Sequence, residues 1–278
     1  SRTHSTLALQ HFSFLSFLRC LNGSAEEGGD PLRDYFIDAA IALAPQYADA
    51  VRQGDLDRAT GYARIYGDAG CSYAQYLVRC TAPRALQFTE VAVEVARHPE
   101  REVHLLVLAY FDELAAAVNA ALPEQRLALA APFVPHVRRL VGHLIGHLVL
   151  PADLAPVFCC DGDGDDEEEE SGNGDKEDVA RYRKYDIGQC LSAYCALAAP
   201  SGVLGVAMQA FSEGLARLGT DWRPAEAAVY ALQCVAARAS PPSSELAPLL
   251  RPFLDAAPGL LAPSGARGSA ALRRTALV

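Results

Sequence analysis

Gly54-Asp55-Leu56-Asp57-Arg58-Ala59-Thr60-Gly61-Tyr62-Ala63-Arg64-Ile65-Tyr66 heads a long helical pattern. Apolar and aromatic residues recur at Ala59, Tyr62, Tyr66, Ala69, Tyr73, Tyr76 and Cys80. Steps of three and four place them on one stripe of a helix, so a helix is expected over 55–80. The tyrosines between 62 and 76 read as part of that core stripe rather than as a binding surface. The same periodicity recurs on either side, and strand alternation is almost absent. Helices are expected at 6–21, 31–53, 83–97, 100–121, 123–150, 178–198, 201–218, 223–239, 244–260 and 266–278. Short connections holding Pro or Gly join them: His98-Pro99, Leu122-Pro123, Pro200-Ser201-Gly202 and Pro241-Pro242. Short links force successive helices to pack antiparallel. Helix pairs then recur every ~40–50 residues, the period of HEAT-type repeats. The expected fold is an all-α, HEAT-type α-solenoid, a superhelix of antiparallel helix pairs with about five repeats.

Two helices display the packing logic. In 100–121, Val103, Leu106, Val107, Tyr110, Leu114 and Ala117 form the inward stripe, while Arg101, Asp112 and Glu113 face elsewhere. In 223–239 the stripe is Ala225, Ala228, Val229, Leu232, Val235, Ala236 and Ala239. Pro224 suits the first helical position, where its missing N–H costs nothing. Trp222 then precedes the cap and can cover Ala227 as a hydrophobic staple. Glu226 in the first turn complements the positive helix end. The amphipathic pattern still runs at the last residues, with Leu272 and Leu277 around Arg273 and Arg274. Met208 is the single methionine, so residue 1 is not an initiator. Both ends read as cuts through a longer superhelix, a repeat array without capping repeats.

The net charge of −10 is concentrated in one place. Asp161, Asp163, Asp165, Asp166, Glu167, Glu168, Glu169, Glu170, Asp175, Glu177 and Asp178 stand against the single base Lys176, and the rest of the chain is neutral. This divides the chain into helical repeats over 1–150, an acidic loop of disorder-type composition over 151–177, and repeats continuing the same solenoid over 178–278. No basic patch stands out, which argues against direct nucleic-acid binding. No apolar run reaches the ~20 residues of a membrane span. Phe12 to Leu21 is apolar but interrupted by Arg19, and reads as a helix rather than a signal peptide. The eight cysteines are Cys20, Cys71, Cys80, Cys159, Cys160, Cys190, Cys195 and Cys234. None forms C-x-x-C and most sit on apolar stripes, as reduced thiols of a cytosolic or nuclear protein would.

Four separated blocks resemble, in order, the nuclear import receptors of the transportin-SR (transportin-3/importin-13-like) type in the importin-β superfamily. The first is Asp55 to Tyr66, similar to D-L-D-[KR]…Y-x-R-I-[FY]. The second is His98-Pro99-Glu100-Arg101-Glu102-Val103 followed by Tyr110-Phe111-Asp112-Glu113-Leu114, similar to H-P-x-x-E-V…F-W-x-x-L with Phe111 in place of Trp. The third is the acidic run leading into Val179-Ala180-Arg181-Tyr182-Arg183, similar to an acidic linker before an F-R-x-R helix. The fourth is Trp222-Arg223-Pro224-Ala225-Glu226-Ala227, similar to W-x-x-x-E-A opening a helix. The likeness covers about 30–278, and the first 25 residues match poorly. It implies a receptor that carries protein cargo into the nucleus, arginine/serine-rich proteins among it, and releases it on binding Ran-GTP. It implies nucleoporins as further partners, and shuttling between nucleus and cytoplasm. The family's main Ran site lies in N-terminal repeats that this chain lacks, and no arginine-rich cargo helix is found here. A helical-repeat scaffold outside transport is the alternative reading.

The acidic residues Asp161, Asp163, Asp165, Asp166, Glu167, Glu168, Glu169 and Glu170 are the candidate partner site. They read either as a solvated loop held open by self-repulsion or as a landing site for a basic surface on Ran or cargo. Asp161 to Asp166 is similar to the start of an EF-hand loop, but Asp166 stands where that loop needs Gly and Gly172 where it needs Glu. His136, His143 and His147 share a stripe, yet His143-Leu144-Ile145-Gly146-His147 lacks the Glu of H-E-x-x-H, so they read as histidines bordering an apolar face rather than zinc ligands. No phosphate-binding glycine loop, nucleophile elbow or paired Cys and His is present. No catalysis and no cofactor is expected.

Overall fold

Gly54 and Asp55 divide two helices by different means. Gly54 takes the left-handed conformation (φ 67°) that closes a helix, and its N–H reaches the carbonyls of Ala50 and Val51. Asp55 then opens the next helix, its carboxylate accepting the Arg58 N–H at 3.1 Å. The computed structural model describes residues 31–79, 83–159, 170–236 and 246–261, together with Leu272 and Thr275. Among the described residues the chain is helical and holds no strand, the all-α helical-repeat fold expected. The helices are α1 (Pro31–Ala42), α2 (Ala44–Gln53), α3 (Leu56–Arg79), α4 (Pro83–Ala96), α5 (Arg101–Asn119) and α6 (Pro123–Ala130). There follow α7 (Val134–His147), α8 (Ala155–Cys159), α9 (Glu170–Arg181), α10 (Gly188–Ala216), α11 (Arg223–Ala236) and α12 (Leu246–Leu261). A π-helical turn, Tyr182–Ile187, joins α9 to α10.

Prolines account for two places where the expected helices are broken. The helix expected at 31–53 stops at Leu43, next to Pro45 in the first turn of α2. The helix expected at 123–150 passes through a 3-10 turn, Ala131–Phe133, that holds Pro132 and is followed by Pro135. Proline has no N–H to donate and crowds the preceding turn. Helix formation also begins at Glu170 rather than 178, because α9 opens with polar residues that carry no apolar stripe.

The chain forms two compact units, residues 1–129 and 130–278. In the first, α3 packs chiefly on α5. The contact is backbone-close. A Cβ on Gly67 would lie 2.1 Å from the Leu106 carbonyl oxygen, and one on Gly70 2.5 Å from the Tyr110 ring. Ala63, Gly67, Gly70, Ala74 and Leu77 are all buried, none of them in the expected stripe. Of that stripe Ala59, Tyr66 and Tyr73 are buried, Tyr62, Ala69 and Tyr76 are half-buried, and Cys80 lies outside the described residues. On α5, Val103, Val107, Tyr110 and Leu114 are buried as expected, while His104, Leu108, Phe111, Ala115 and Val118 are buried on a second side.

A chain of rings crosses this unit: Tyr47 to Tyr66 at 6.4 Å, Tyr66 to Phe88 at 6.2 Å, Phe88 to Tyr110 at 5.2 Å and Tyr110 to Phe111 at 4.9 Å between centroids. Most pairs meet edge to face, the arrangement the ring quadrupole favours. Thr89 donates to the Ala85 carbonyl at 2.8 Å, so the Tyr110 hydroxyl, 2.7 Å away, is the donor to Thr89. Burial pushes the pKa values of Tyr47, Tyr66 and Tyr110 upward. At the surface of this unit Arg84 bridges Asp34 at 2.9 Å and Asp38 at 2.6 Å, a pairing that at this exposure contributes little.

In the second unit α10 packs on α11 and α7. Ala199 lies within α10 at φ 55°, ψ 153°, where Pro200 forbids the residue before it the helical conformation. The break falls where one was expected between 178–198 and 201–218. Gly214 brings α10 against α11, since a Cβ there would sit 2.6 Å from Ala225 Cα.

Candidate partner-binding site

Seven of the candidate acidic residues, Asp161, Asp163, Asp165, Asp166, Glu167, Glu168 and Glu169, lie outside the described residues. Glu170 opens α9. The run continues along α9, where Asp175, Glu177 and Asp178 are exposed. Lys176, the base inside the run, is half-buried with its ammonium 5.9 Å from the Phe158 ring centroid of α8. That contact turns the base inside the run towards the protein, while Asp175, Glu177, Asp178 and, in the last turn of α9, Arg181 are exposed.

Below α9 the structure places an ion pair that sequence reading did not find. Arg183, in the π-helical turn, is 5% exposed and Glu226, in the first turn of α11, 2%. One Arg183 terminal nitrogen donates to both carboxylate oxygens, at 2.9 and 2.8 Å. The guanidinium carbon stands 4.4 Å from the Tyr230 ring centroid, within cation–π range. Thr275 donates to Glu226 at 2.8 Å. Glu226 stands in the first turn of α11 as expected, and it is in addition a buried partner of Arg183, as a carboxylate in this surrounding must be. The π turn is closed by the Gly188 N–H bonding to the Arg183 carbonyl. A Cβ on Gly188 would lie 2.9 Å from that carbonyl oxygen and 3.1 Å from Cys234 Sγ, so the turn needs glycine there. Burial raises the Cys234 thiol to about 11, against the pull of the Arg183 charge, and keeps it protonated.

The start of α11 is held from its other side. Asp221 accepts from the Arg223 N–H at 3.1 Å and from its side chain at 2.8 and 3.0 Å, and the remaining Arg223 nitrogen donates to the Leu150 carbonyl at 3.2 Å. The Arg223 guanidinium holds the Asp221 carboxyl below the usual carboxylate range. The helix begins at Arg223, as expected, with Asp221 accepting the Arg223 N–H and Pro224 in the first turn. Trp222 is half-buried and Ala236 exposed; Ala239 lies outside the described residues.

His136, His143 and His147 are half-buried along α7 beside the buried Val137, Leu140 and Leu144. Among the described residues no three His, Cys, Asp or Glu side chains gather as metal ligands do. Cys71, Cys190, Cys195 and Cys234 are thiols. No helix among the described residues is long and apolar enough to cross a membrane.

Where the structure describes them, the four sequence blocks close helix ends or fill buried contacts; most of the acidic run of the third lies outside the described residues. Asp55 to Tyr66 caps and seats α3. His98 turns the corner from α4 to α5, its Nδ1 accepting the Glu100 N–H at 3.1 Å and its carbonyl accepting from His104 Nδ1 at 3.0 Å. The third and fourth blocks meet in the Arg183–Glu226 pair. An acid inside Ala225-Glu226-Ala227-Ala228, an otherwise apolar stretch, was the available signal for it. Compared with known proteins, no curated protein matches the chain. Residues 54–147 match the family model described as the Transportin-3/Importin-13 second TPR domain, a match that begins at Gly54, next to the first block. Residues 54–147 are therefore a transportin-3/importin-13-like segment, all-α helical-repeat in fold.

Proposed function

We propose that this chain is part of a nuclear transport receptor that mediates Ran-GTP-regulated import by binding protein cargo. The observation that carries the reading is the transportin-3/importin-13 match over 54–147. Its action is binding rather than catalysis. Ran-GTP and cargo compete for, or reshape, the helical repeats, each favouring a different arrangement. The charge distribution supports a role for the acidic run, Asp161 to Glu170 and on through Asp175, Glu177 and Asp178. The whole net charge of −10 is gathered there, so a basic surface on Ran or cargo is steered to it. Such attraction fades beyond about 8 Å at physiological salt. Arginine/serine-rich cargo fits that charge, nucleoporins are the partners of passage, and the receptor shuttles between cytoplasm and nucleus. The run 151–177 then works as a charged element between repeats 1–150 and 178–278.

The test is a pull-down of Ran, loaded with GTP or with GDP, on the full-length gene product and on this chain alongside. GTP-selective capture by the full-length product supports the receptor. Its absence there moves the reading to a helical-repeat scaffold, and loss in this chain alone places the Ran contact outside these residues. Replacing Glu167 to Glu170 by Gln should weaken a basic partner and flatten its salt dependence; unchanged binding of Ran and cargo across salt sinks the landing site.

A further inference from the structure

We infer that α1 is a strap over the first unit, latched by charge and loosened by salt while the contacts beneath it stay closed. The helix lies outside residues 54–147, which match the repeat family, and packs on α3 and α4 inside them. Its hold differs in kind from theirs. Of its twelve residues the buried ones are Arg33, Ile37 and Ala40, whereas seven of the fourteen in α4 are buried. Leu32 and Tyr35 face solvent, at 45% and 65% exposure. One isoleucine and one alanine take little apolar surface out of water.

The polar fastening of the strap converges on one base. Asp34 and Asp38, one turn apart on α1, both reach Arg84 of α4, at 2.9 and 2.6 Å. The Arg84 side chain donates to both oxygens of Asp38, the second at 3.0 Å. The Tyr76 hydroxyl of α3 donates to Asp34 at 2.6 Å, and the Arg33 guanidinium carbon stands 5.8 Å from the Tyr76 ring centroid. Arg84 is thus the hub that joins α1 to α4, one cation between two carboxylates, and Tyr76 joins the same helix to α3.

Such a latch answers to a variable that the core ignores. Its ion pairs are partly exposed, the Asp38 side chain by 54% and that of Arg84 by 29%, so each contributes modestly and is screened by salt. The ring pair Tyr66 and Phe88 and the close approach of Gly67 to Leu106 are apolar or backbone contacts, on which screening does not act. The strap therefore opens as a local unit ahead of α3 to α5. Its departure bares the Tyr76 hydroxyl and the Arg84 guanidinium together on the surface of the unit.

Hydrogen exchange of the full chain decides the matter. Raising sodium chloride from about 0.1 M to about 1 M shortens the screening length from about 10 Å to about 3 Å. At the lower salt, exchange over 31–42 should run at least about tenfold ahead of α3 and α5. At the higher salt it should rise by about a further threefold, with α3 and α5 unchanged. Arg84→Gln should show the raised rate already at low salt and lose the salt response. Tyr76→Phe removes a hydrogen bond without touching the ion pairs; exchange should rise about threefold and the salt response should remain. Should Arg84→Gln unsettle α4 itself, Asp38→Asn at the exposed side of α1 removes one arm of the latch and should roughly halve the response. This pattern supports the strap. An α1 that exchanges in step with α3 and α5 overturns it, as does wild-type exchange over 31–42 that ignores salt. A salt response that survives intact in Arg84→Gln or Asp38→Asn also overturns it, because the charge sensitivity then lies elsewhere.

Discussion

The α3–α5 contact of the first unit and the α10–α11 contact of the second solve one problem with opposite chemistry. In both, glycine permits close approach: Gly67 to the Leu106 backbone and Gly70 to the Tyr110 ring of α5, Gly214 to the Ala225 backbone and Gly188 to the Cys234 thiol of α11. The first contact is lined with rings and aliphatic carbon, and beside it the Tyr110 hydroxyl of α5 bonds Thr89 of α4. The second buries a full ion pair, Arg183 with Glu226, under the Tyr230 ring. A dry contact of rings gains from every Å² it covers and tolerates many substitutions of similar volume. A buried ion pair gains little over a hydrophobic pair of the same shape, because desolvation cancels the attraction, but it fails badly when one partner is lost. The second contact is thus the more selective and the more fragile.

Glu226→Ala tests that fragility and carries the largest expected loss. It leaves the Arg183 charge buried without its carboxylate and the Thr275 hydroxyl without its acceptor. The cost should be about 4 kcal/mol, read from the urea midpoint of the full chain. The double variant Arg183→Met with Glu226→Leu removes both charges and should recover most of that loss; a double variant as unstable as Glu226→Ala would mean the pair is worth far more than desolvation allows. Gly67→Ala is the corresponding cut in the first unit. Its methyl would press on the Leu106 carbonyl oxygen, a backbone atom that cannot swing aside, and should cost about 3 kcal/mol. A loss below about 1 kcal/mol would show that α3 and α5 slide apart easily, and the contrast between a rigid dry contact and a selective ionic one would lose its first half.

Sequence legibility follows the same divide. Apolar periodicity located the helices because each buries one stripe, and Val103, Val107, Tyr110 and Leu114 are where that stripe placed them. It failed at Gly67 and Gly70, whose role is to be small and which carry no hydrophobic signal, and it passed over Ala74, buried beside the expected stripe. It under-read α5, which is buried on two sides. Pro45, Pro132 and Pro135 were visible but were allowed to pass within longer helices. At the candidate site the acidic run was plain from charge alone. The residues beneath it were not: Arg183 and Glu226 are 43 positions apart, and nothing local in either stretch says that they meet. Only the oddity of an acid among alanines hinted at a buried partner for Glu226.

Ala199 offers a smaller test, within the second contact. At φ 55° and ψ 153° it occupies backbone space that suits glycine. Ala199→Gly removes that steric cost and adds back some unfolded-state entropy, for a net gain of about 1 kcal/mol, visible as a rise of a few degrees in Tm. A fall in Tm would mean that the break between the two halves of α10 depends on the alanine methyl rather than on Pro200.

The smallest effect expected is one of pH, and it belongs to the first unit. The tyrosines of the ring chain have pKa values pushed upward, so they stay neutral through the physiological range. His98 is different. Its Nδ1 accepts the Glu100 N–H, which an imidazolium cannot do, and burial lowers its pKa against the opposing pull of Glu100. The folded value therefore lies below the unfolded one, about 6.5. On acidification the unfolded chain takes up the proton first. The His98 contribution is thus complete above pH ~6.5 and is lost as the pH falls through the folded value. Denaturant midpoints measured between pH 7.5 and 5 should decline in wild type, and His98→Gln, whose side-chain oxygen accepts the same bond at any of these pH values, should decline less. Equal slopes would assign the acid sensitivity to another group and leave the α4–α5 corner as indifferent to pH as the rings beside it.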